Sequence, residues 1–232
     1  MAWQILGREA GPDGTEFVLY RFDDQFMIRA GGYELMSTRA HGSEEALARL
    51  GCEALVGAAA PQVLVGGLGL GYTLRAALDC LPAGAEVTVA ELVPTILDWQ
   101  RTVVGACCGW PLRDPRVTVH CGDVVELLVP ETFDAILLDV DNGAEALSWG
   151  GNRDLYGDRG TATLYRALRP GGTLAVWSAE IDPPYAETLG RHGFAVRGLR
   201  VPARGDWDGV RHVVYLGRRE SGMHPALAGG GT

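Results

Sequence analysis

The apolar and polar positions follow two different rhythms along the chain. Residues 16–36 fall into short β-prone runs interrupted by Asp23-Asp24 and Gly31-Gly32, which predicts a small antiparallel meander. Ser43-Glu44-Glu45 then opens a helical stretch to about Ala58, with Ser43 as the capping hydroxyl and the acids in the first turn, where the helix dipole favours them. From Gln62 onward, apolar runs of strand length alternate with helical segments: 62–65, 86–91, 116–123, 134–140 and 173–178. Runs that are apolar on both faces and separated by helices predict a parallel sheet covered on each side. Residues 195–201 and 211–218 are joined by a loop with no room for a helix, so they are expected to pair antiparallel.

The expected fold is therefore α/β. It is a Rossmann-like domain of the methyltransferase type, a parallel sheet closed by an antiparallel C-terminal hairpin, preceded by a small N-terminal β meander. The expected divisions are a β region at 1–42, the Rossmann-like domain at 43–218 and a flexible tail at 219–232, which ends in AGGGT. No internal repeat is visible.

Composition narrows the chemistry. At 232 residues and 47% hydrophobic content, one substantial domain with a small appendage is the expectation. A net charge of -9 argues against a nucleic-acid groove or an anionic membrane surface, both of which call for clustered positive charge, and suits a neutral or cationic small molecule. The 20 basic residues are all Arg. A Lys Schiff base, a Lys nucleophile and a Walker lysine are thereby excluded. Cys52, Cys80, Cys107, Cys108 and Cys121 contain no CxxC pair, so neither a metal site nor a disulfide framework is expected. With no signal-peptide pattern and no apolar run near the ~18 residues of a membrane span, the protein reads as cytoplasmic.

The strongest chemical signal is the run Val63 to Gly71, a buried strand entering a glycine-rich turn before a helix, which lets backbone approach a ligand closely. Gly67, Gly69 and Gly71 form a GxGxG pattern, and Tyr72 stands where a dinucleotide fingerprint would need its last glycine. That form suits a nucleoside with a methionine tail, S-adenosylmethionine or its decarboxylated form, and disfavours a nicotinamide oxidoreductase. Glu91 ends the next strand, where its carboxylate can accept from ribose hydroxyls. Asp123, with Val124 beside it, ends the third and can accept from an adenine amino group. Either acid can equally serve as a helix cap. Asp139 follows the buried run AILL at another carboxyl end beside the glycine loop, as a catalytic acid or as the cap of the following segment.

Together these residues resemble the spermidine synthase family, the polyamine aminopropyltransferases, over roughly residues 20–218. The glycine loop, Glu91, Gly122-Asp123 and the segment Asp139-Val140-Asp141-Asn142-Gly143 stand where that family has its GGGDGG loop, strand-ending Glu, GD pair and DSSDP-type segment. The resemblance implies that Asp139 positions or deprotonates the nucleophile and that Asp141 and Asn142 lie at the acceptor. It also implies that His41 and Glu45 belong to a substrate wall contributed by the small domain, and that the assembly is a dimer or larger. Tyr156 and Trp149 are candidates for lining the acceptor pocket, whereas Trp177, inside a strand, reads as core.

Three departures set the expected reaction apart from polyamine synthesis. Leu70 replaces the loop Asp that holds the donor's amino group, Asn142 replaces an acceptor-holding Asp, and Gly160-Thr161 stand where the family has a Tyr. The expected activity is thus methyl transfer from S-adenosylmethionine to a small-molecule nucleophile. Aminopropyl transfer from the decarboxylated donor to an amine is the first alternative, and a non-catalytic nucleoside-binding or interaction module the second.

Overall fold

The computed structural model describes residues 2–11, 14–140, 155–204 and 209–221. Asp141, Asn142 and Trp149, named above for the acceptor, lie outside the described residues.

The N-terminal meander has four antiparallel strands in sequential order, β1 (Gln4–Ala10), β2 (Glu16–Phe22), β3 (Gln25–Ala30) and β4 (Tyr33–Ser37). Gly31 and Gly32 both take positive φ, 57° and 88°, the backbone that a tight two-residue hairpin turn needs. The strand β1 adds to the meander expected from sequence. Nearly all of its residues are exposed, so it carries no alternation to read.

The helix α1 (Gly42–Cys52) runs into a 3-10 turn at Glu53–Leu55 and stops short of Ala58. Gly57, at φ 92°, has left helical geometry. Ser43 is not the cap: His41 holds that position, and Ser43 lies fully buried inside the first turn with its hydroxyl spent on other partners.

The main sheet has seven strands in the order β10-β11-β9-β8-β5-β6-β7. Five are parallel: β5 (Gln62–Gly66), β6 (Glu86–Glu91), β7 (Val117–Cys121), β8 (Phe133–Leu138) and β9 (Leu168–Ser178). β11 (Arg211–Arg219) enters antiparallel between β9 and β10 (Phe194–Pro202). The remaining helices are α2 (Tyr72–Cys80), α3 (Pro94–Thr102), α4 (Asp158–Ala167) and α5 (Pro183–Arg191). This is the expected Rossmann-like sheet closed by an antiparallel C-terminal hairpin. β11 reaches Arg219, the first residue of the expected tail.

Along β8 the period-two rule sends Ala135 and Leu137 to one face and Ile136 and Leu138 to the other, and both faces are sealed. On the first face lie Leu47 of α1, Leu74 and Leu78 of α2, and Val214 of β11. The second face holds Leu164 of α4, Leu189 of α5 and Tyr215. A Cβ added at Gly51 would come within 2.2 Å of Leu137 Cδ2, so this glycine lets α1 settle directly on the sheet.

A third cluster joins Phe17, Leu19, Phe26 and Ile28 of the meander to Leu70, Ile96 and Trp99. The meander therefore sits over the carboxyl ends of β5 and β6, the side on which open α/β sheets hold ligands. Among the described residues, no helix is long and apolar enough to cross a membrane, and no group of three or more potential ligands could hold a metal ion.

Candidate active site

The glycine loop is built against the protein on both sides. Gly67, at φ 86°, passes so close to the chain leaving β8 that a Cβ there would lie 2.2 Å from the Asp139 carbonyl oxygen. Gly69, at φ 49°, faces the meander, where a Cβ would lie 2.3 Å from Met36 Sδ. Gly71 takes a left-handed conformation as the residue before α2.

Glu91 is buried and braces this loop. Its Oε2 accepts from the Leu68 and Gly69 amides at 3.0 and 3.4 Å, and its Oε1 accepts from the Val93 amide at 2.9 Å. From α3, Gln100 donates to the Gly69 carbonyl at 3.1 Å and ties the loop from a further side.

Asp123 takes the capping role open to it. It is exposed, and its Oδ1 accepts from the Val125 amide at 2.9 Å, opening the 3-10 turn Val124–Leu127. Val124 is buried against Gly66, where β5 enters the loop.

Asp139 follows β8 with its amide donating to the Gly66 carbonyl at 2.8 Å, so it is fixed to the strand that carries the loop. Its Oδ2 accepts from Thr73 Oγ1 of α2 at 2.6 Å. Burial pushes its carboxyl up to about 6, while the Thr73 hydroxyl pulls the other way. A second carboxyl is displaced with it. Glu44 is pushed up to about 7, first by burial and then by the charge of Asp139, with the Ser43 hydroxyl opposing.

Of the two acids in the first turn of α1, Glu44 is the one displaced by the charge of Asp139. Glu45 pairs instead with His41 Nδ1 at 2.8 Å and with Arg49 at 3.1 Å. His41 stacks on Tyr72, ring centroids 4.0 Å apart and planes within 8°. Ser43 Oγ lies 2.5 Å from Glu44 Oε2 and 2.9 Å from Nδ1 of His212 on β11, whose ring meets the edge of Trp177. Tyr156 is buried, donates to the Val140 carbonyl at 3.3 Å and packs edge-on against Tyr185. Its hydroxyl therefore props the backbone just after Asp139. Trp177 packs against the core, as its place in a strand suggests.

Thr73, Glu44, Ser43, His212 and Met36 are the residues that sequence reasoning missed. Thr73 had a visible signal, a hydroxyl in the first turn of the helix behind the glycine loop. Glu44 and Glu45 are adjacent acids that only the helix phase separates. His212 and Met36 reach the site through pairings distant in sequence and left no local mark.

No protein-family model matches the chain, and no curated protein matches it by sequence. Solved structures do match. A spermidine synthase in complex with the transition state analogue AdoDATO superposes with a TM-score of 0.72 at 16% identity, over 96% of this chain and 74% of its own. The spermidine synthase from Thermotoga maritima gives the same score and identity over 96% and 75% of the two chains. A probable spermidine synthase from Corynebacterium glutamicum ATCC 13032 matches with a TM-score of 0.63 at 17% identity, over 93% and 80%. Meander and sheet together, this chain has the fold of the spermidine synthases, carried by a widely diverged sequence.

Proposed function

We propose that the protein transfers an aminopropyl group from decarboxylated S-adenosylmethionine to a small amine. The observation that carries this reading is the position of Asp139, half-buried beside the glycine loop with its carboxyl raised to about 6, beneath a meander placed as in the spermidine synthases. Glu91, Asp123 and Asp139 stand at the carboxyl ends of β6, β7 and β8, a set of acceptors suited to a nucleoside's hydroxyl and amino groups and to a sulfonium cation. The loop glycines Gly67, Gly69 and Gly71 would carry the nucleoside, with Val124 against the base.

In this reading the ionised Asp139 takes a proton from the acceptor's ammonium group. The freed amine lone pair attacks the carbon next to the sulfonium, and the carbon–sulfur bonding pair stays on sulfur as a neutral thioether. Placing the two reactants in line supplies several kcal/mol of the acceleration, and the positioned base adds about 10²–10⁴-fold. Asp141 and Asn142 remain the proposed acceptor-side residues, together with His41, Glu45 and Tyr156. We further propose a cytoplasmic homodimer acting on a small molecule, without nucleic-acid or membrane partners.

Methyl transfer from S-adenosylmethionine is the second reading, and Leu70 is the observation that favours it. This side chain is buried in the meander cluster where the family's loop acid would stand, so it offers nothing to a donor's amino group. The by-product separates the two readings. Incubation with each donor and a panel of amines, putrescine included, should release methylthioadenosine from the decarboxylated donor. Release of S-adenosylhomocysteine alone would replace the first reading by the second.

A further inference from the structure

We infer that His212 and Trp177 form the far end of the acceptor site, and that Ser43 and Glu44 hold His212 in the one tautomer that suits it. The group taken at this end both gives and receives a hydrogen bond, a hydroxyl or a carboxamide in place of a second ammonium. The relay among Glu44, Ser43 and His212 stands on geometry, whereas the acceptor it serves rests on the function proposed above.

A hydroxyl has a single proton to give. Ser43, fully buried, gives it to Glu44 Oε2 at 2.5 Å, the short separation of a bond to a charged oxygen. The contact between Ser43 and His212 Nδ1 at 2.9 Å then needs its proton from the ring. A neutral imidazole carries one N–H, and burial holds His212 toward that neutral form. The proton is therefore on Nδ1, and Nε2 keeps a bare lone pair with no hydrogen-bonding partner among the described residues. A hydrogen bond at one ring nitrogen, itself backed by a carboxylate, is the usual means of fixing what the other nitrogen offers. The relay is also anchored from outside: the Gly42 amide, next to Ser43, donates to the Ala203 carbonyl beyond β10 at 2.8 Å.

The sheet sets this ring beside the proposed chemistry. Leu138 of β8 pairs with Val176 of β9, so the residues that follow them, Asp139 and Trp177, stand side by side at the carboxyl edge. Trp177 pairs in turn with Val214 of β11, two residues from His212, and the two rings meet edge-on with centroids 4.7 Å apart. The indole Nε1 is buried and, among the described residues, has no partner, a costly state for a donor. Nε2 of His212 thus calls for a donor and Nε1 of Trp177 for an acceptor. An ammonium group only donates, so it would satisfy the histidine and leave the indole stranded. A hydroxyl or a carboxamide answers both, and because the rings touch, one small group can serve them together.

The relay is tested by 15N NMR of the His212 ring, without substrate and at a pH above about 7, where Glu44 is ionised. Wild type is expected to carry the proton on Nδ1, and Ser43→Ala to show a mixture of the two tautomers. A proton on Nε2 in wild type, or a ring spectrum unchanged by Ser43→Ala, overturns the relay. The far end is tested by transfer from decarboxylated S-adenosylmethionine to putrescine and to the amino alcohol and amino amide of the same chain length. One of the latter two should exceed putrescine in kcat/KM by about tenfold, the worth of one buried polar group left unpaired. His212→Phe should raise the KM of that preferred amine by about tenfold with methylthioadenosine binding unchanged, and Trp177→Phe should erase the preference over putrescine. Preference for putrescine in wild type, or a preferred amine whose kinetics neither variant alters, overturns the far-end assignment while leaving aminopropyl transfer in place. Should His212→Phe fail to fold, the wild-type comparison and Trp177→Phe still decide. Transfer to none of the three amines removes the proposed function and the far end with it, and the tautomer then decides the relay by itself.

Discussion

The Leu70 amide donates to the thioether sulfur of Met36 at 3.0 Å, so the glycine loop is hydrogen-bonded to the last strand of the meander. The same methionine occupies the space that a side chain at Gly69 would need. The meander and the loop are thus a single packed unit, and disturbance of one should be felt by the other.

Met36→Ala should destabilise the protein by about 1–2 kcal/mol, below the roughly 2–5 kcal/mol for truncating a fully buried methionine because this one is half-buried. Gly69→Ala should destabilise by a similar amount, through the clash and the positive φ. The double variant should be more stable than the sum of the two predicts, because the truncated methionine vacates the room that the new methyl needs. Thermal unfolding of the four proteins measures this; strict additivity would show that the contact does not couple them.

Glu91→Ala should abolish the rise in Tm given by methylthioadenosine or S-adenosylhomocysteine. In wild type, ligand at about 100 times its Kd should stabilise by roughly 2.7 kcal/mol. The variant loses the bracing of Leu68, Gly69 and Val93 as well as the proposed ribose acceptor. Equal shifts in both proteins would place the nucleoside elsewhere.

Asp139→Asn should leave the fold and nucleoside binding in place while lowering kcat by about 10²–10⁴. In wild type the rate should climb as pH rises through about 6, where this carboxyl gives up its proton. A variant with wild-type kcat would move the catalytic assignment to the neighbouring segment, where Asp141 is the first candidate.

The half-buried carboxyls of Asp139 and Glu44 also set a pH dependence of stability. Asp139 and Glu44 bind protons more tightly in the folded chain than the ordinary values of 3.8 and 4.5 allow. Stability from their protonated forms is full below those values and is lost as pH rises through about 6 and 7. Asp114 runs the other way: hydrogen bonding from Arg116 lowers it to about 2, so its contribution is present above 3.8 and lost as pH falls. Between pH 4 and 7 the first effect should dominate, with denaturant midpoints falling as pH increases and the slope much reduced in Asp139→Asn.

What sequence could convey follows from where the information is local. β5, β6 and β8 are legible because burial on both faces writes an unbroken apolar run, and the glycine loop because backbone geometry restricts it to glycine. β1 escapes notice because its exposed edge needs no pattern. The helix expected over 43–58 is too long and capped at the wrong residue, since Ser43 has its partners in β11 and in Glu44 rather than in its own backbone. The choice between Glu44 and Glu45 turns on the rotation of one helix, and that rotation is set by what α1 packs against. Donor choice in sequence rests on the missing loop acid alone, whereas the whole-chain likeness to spermidine synthases is a likeness of fold.

The place of β11 in the sheet has a bearing on how the protein is made. Ser43 and His212 are 169 residues apart, and β11 can enter only between two strands that precede it. A nascent chain with its first ten strands outside the ribosome still lacks the strand that joins β9 to β10, and with it the His212 contact to Ser43. Closing so long a loop is a late step. The contact between Ser43 and His212 should therefore form last, so that truncation before Arg211 yields a chain that is incompletely closed.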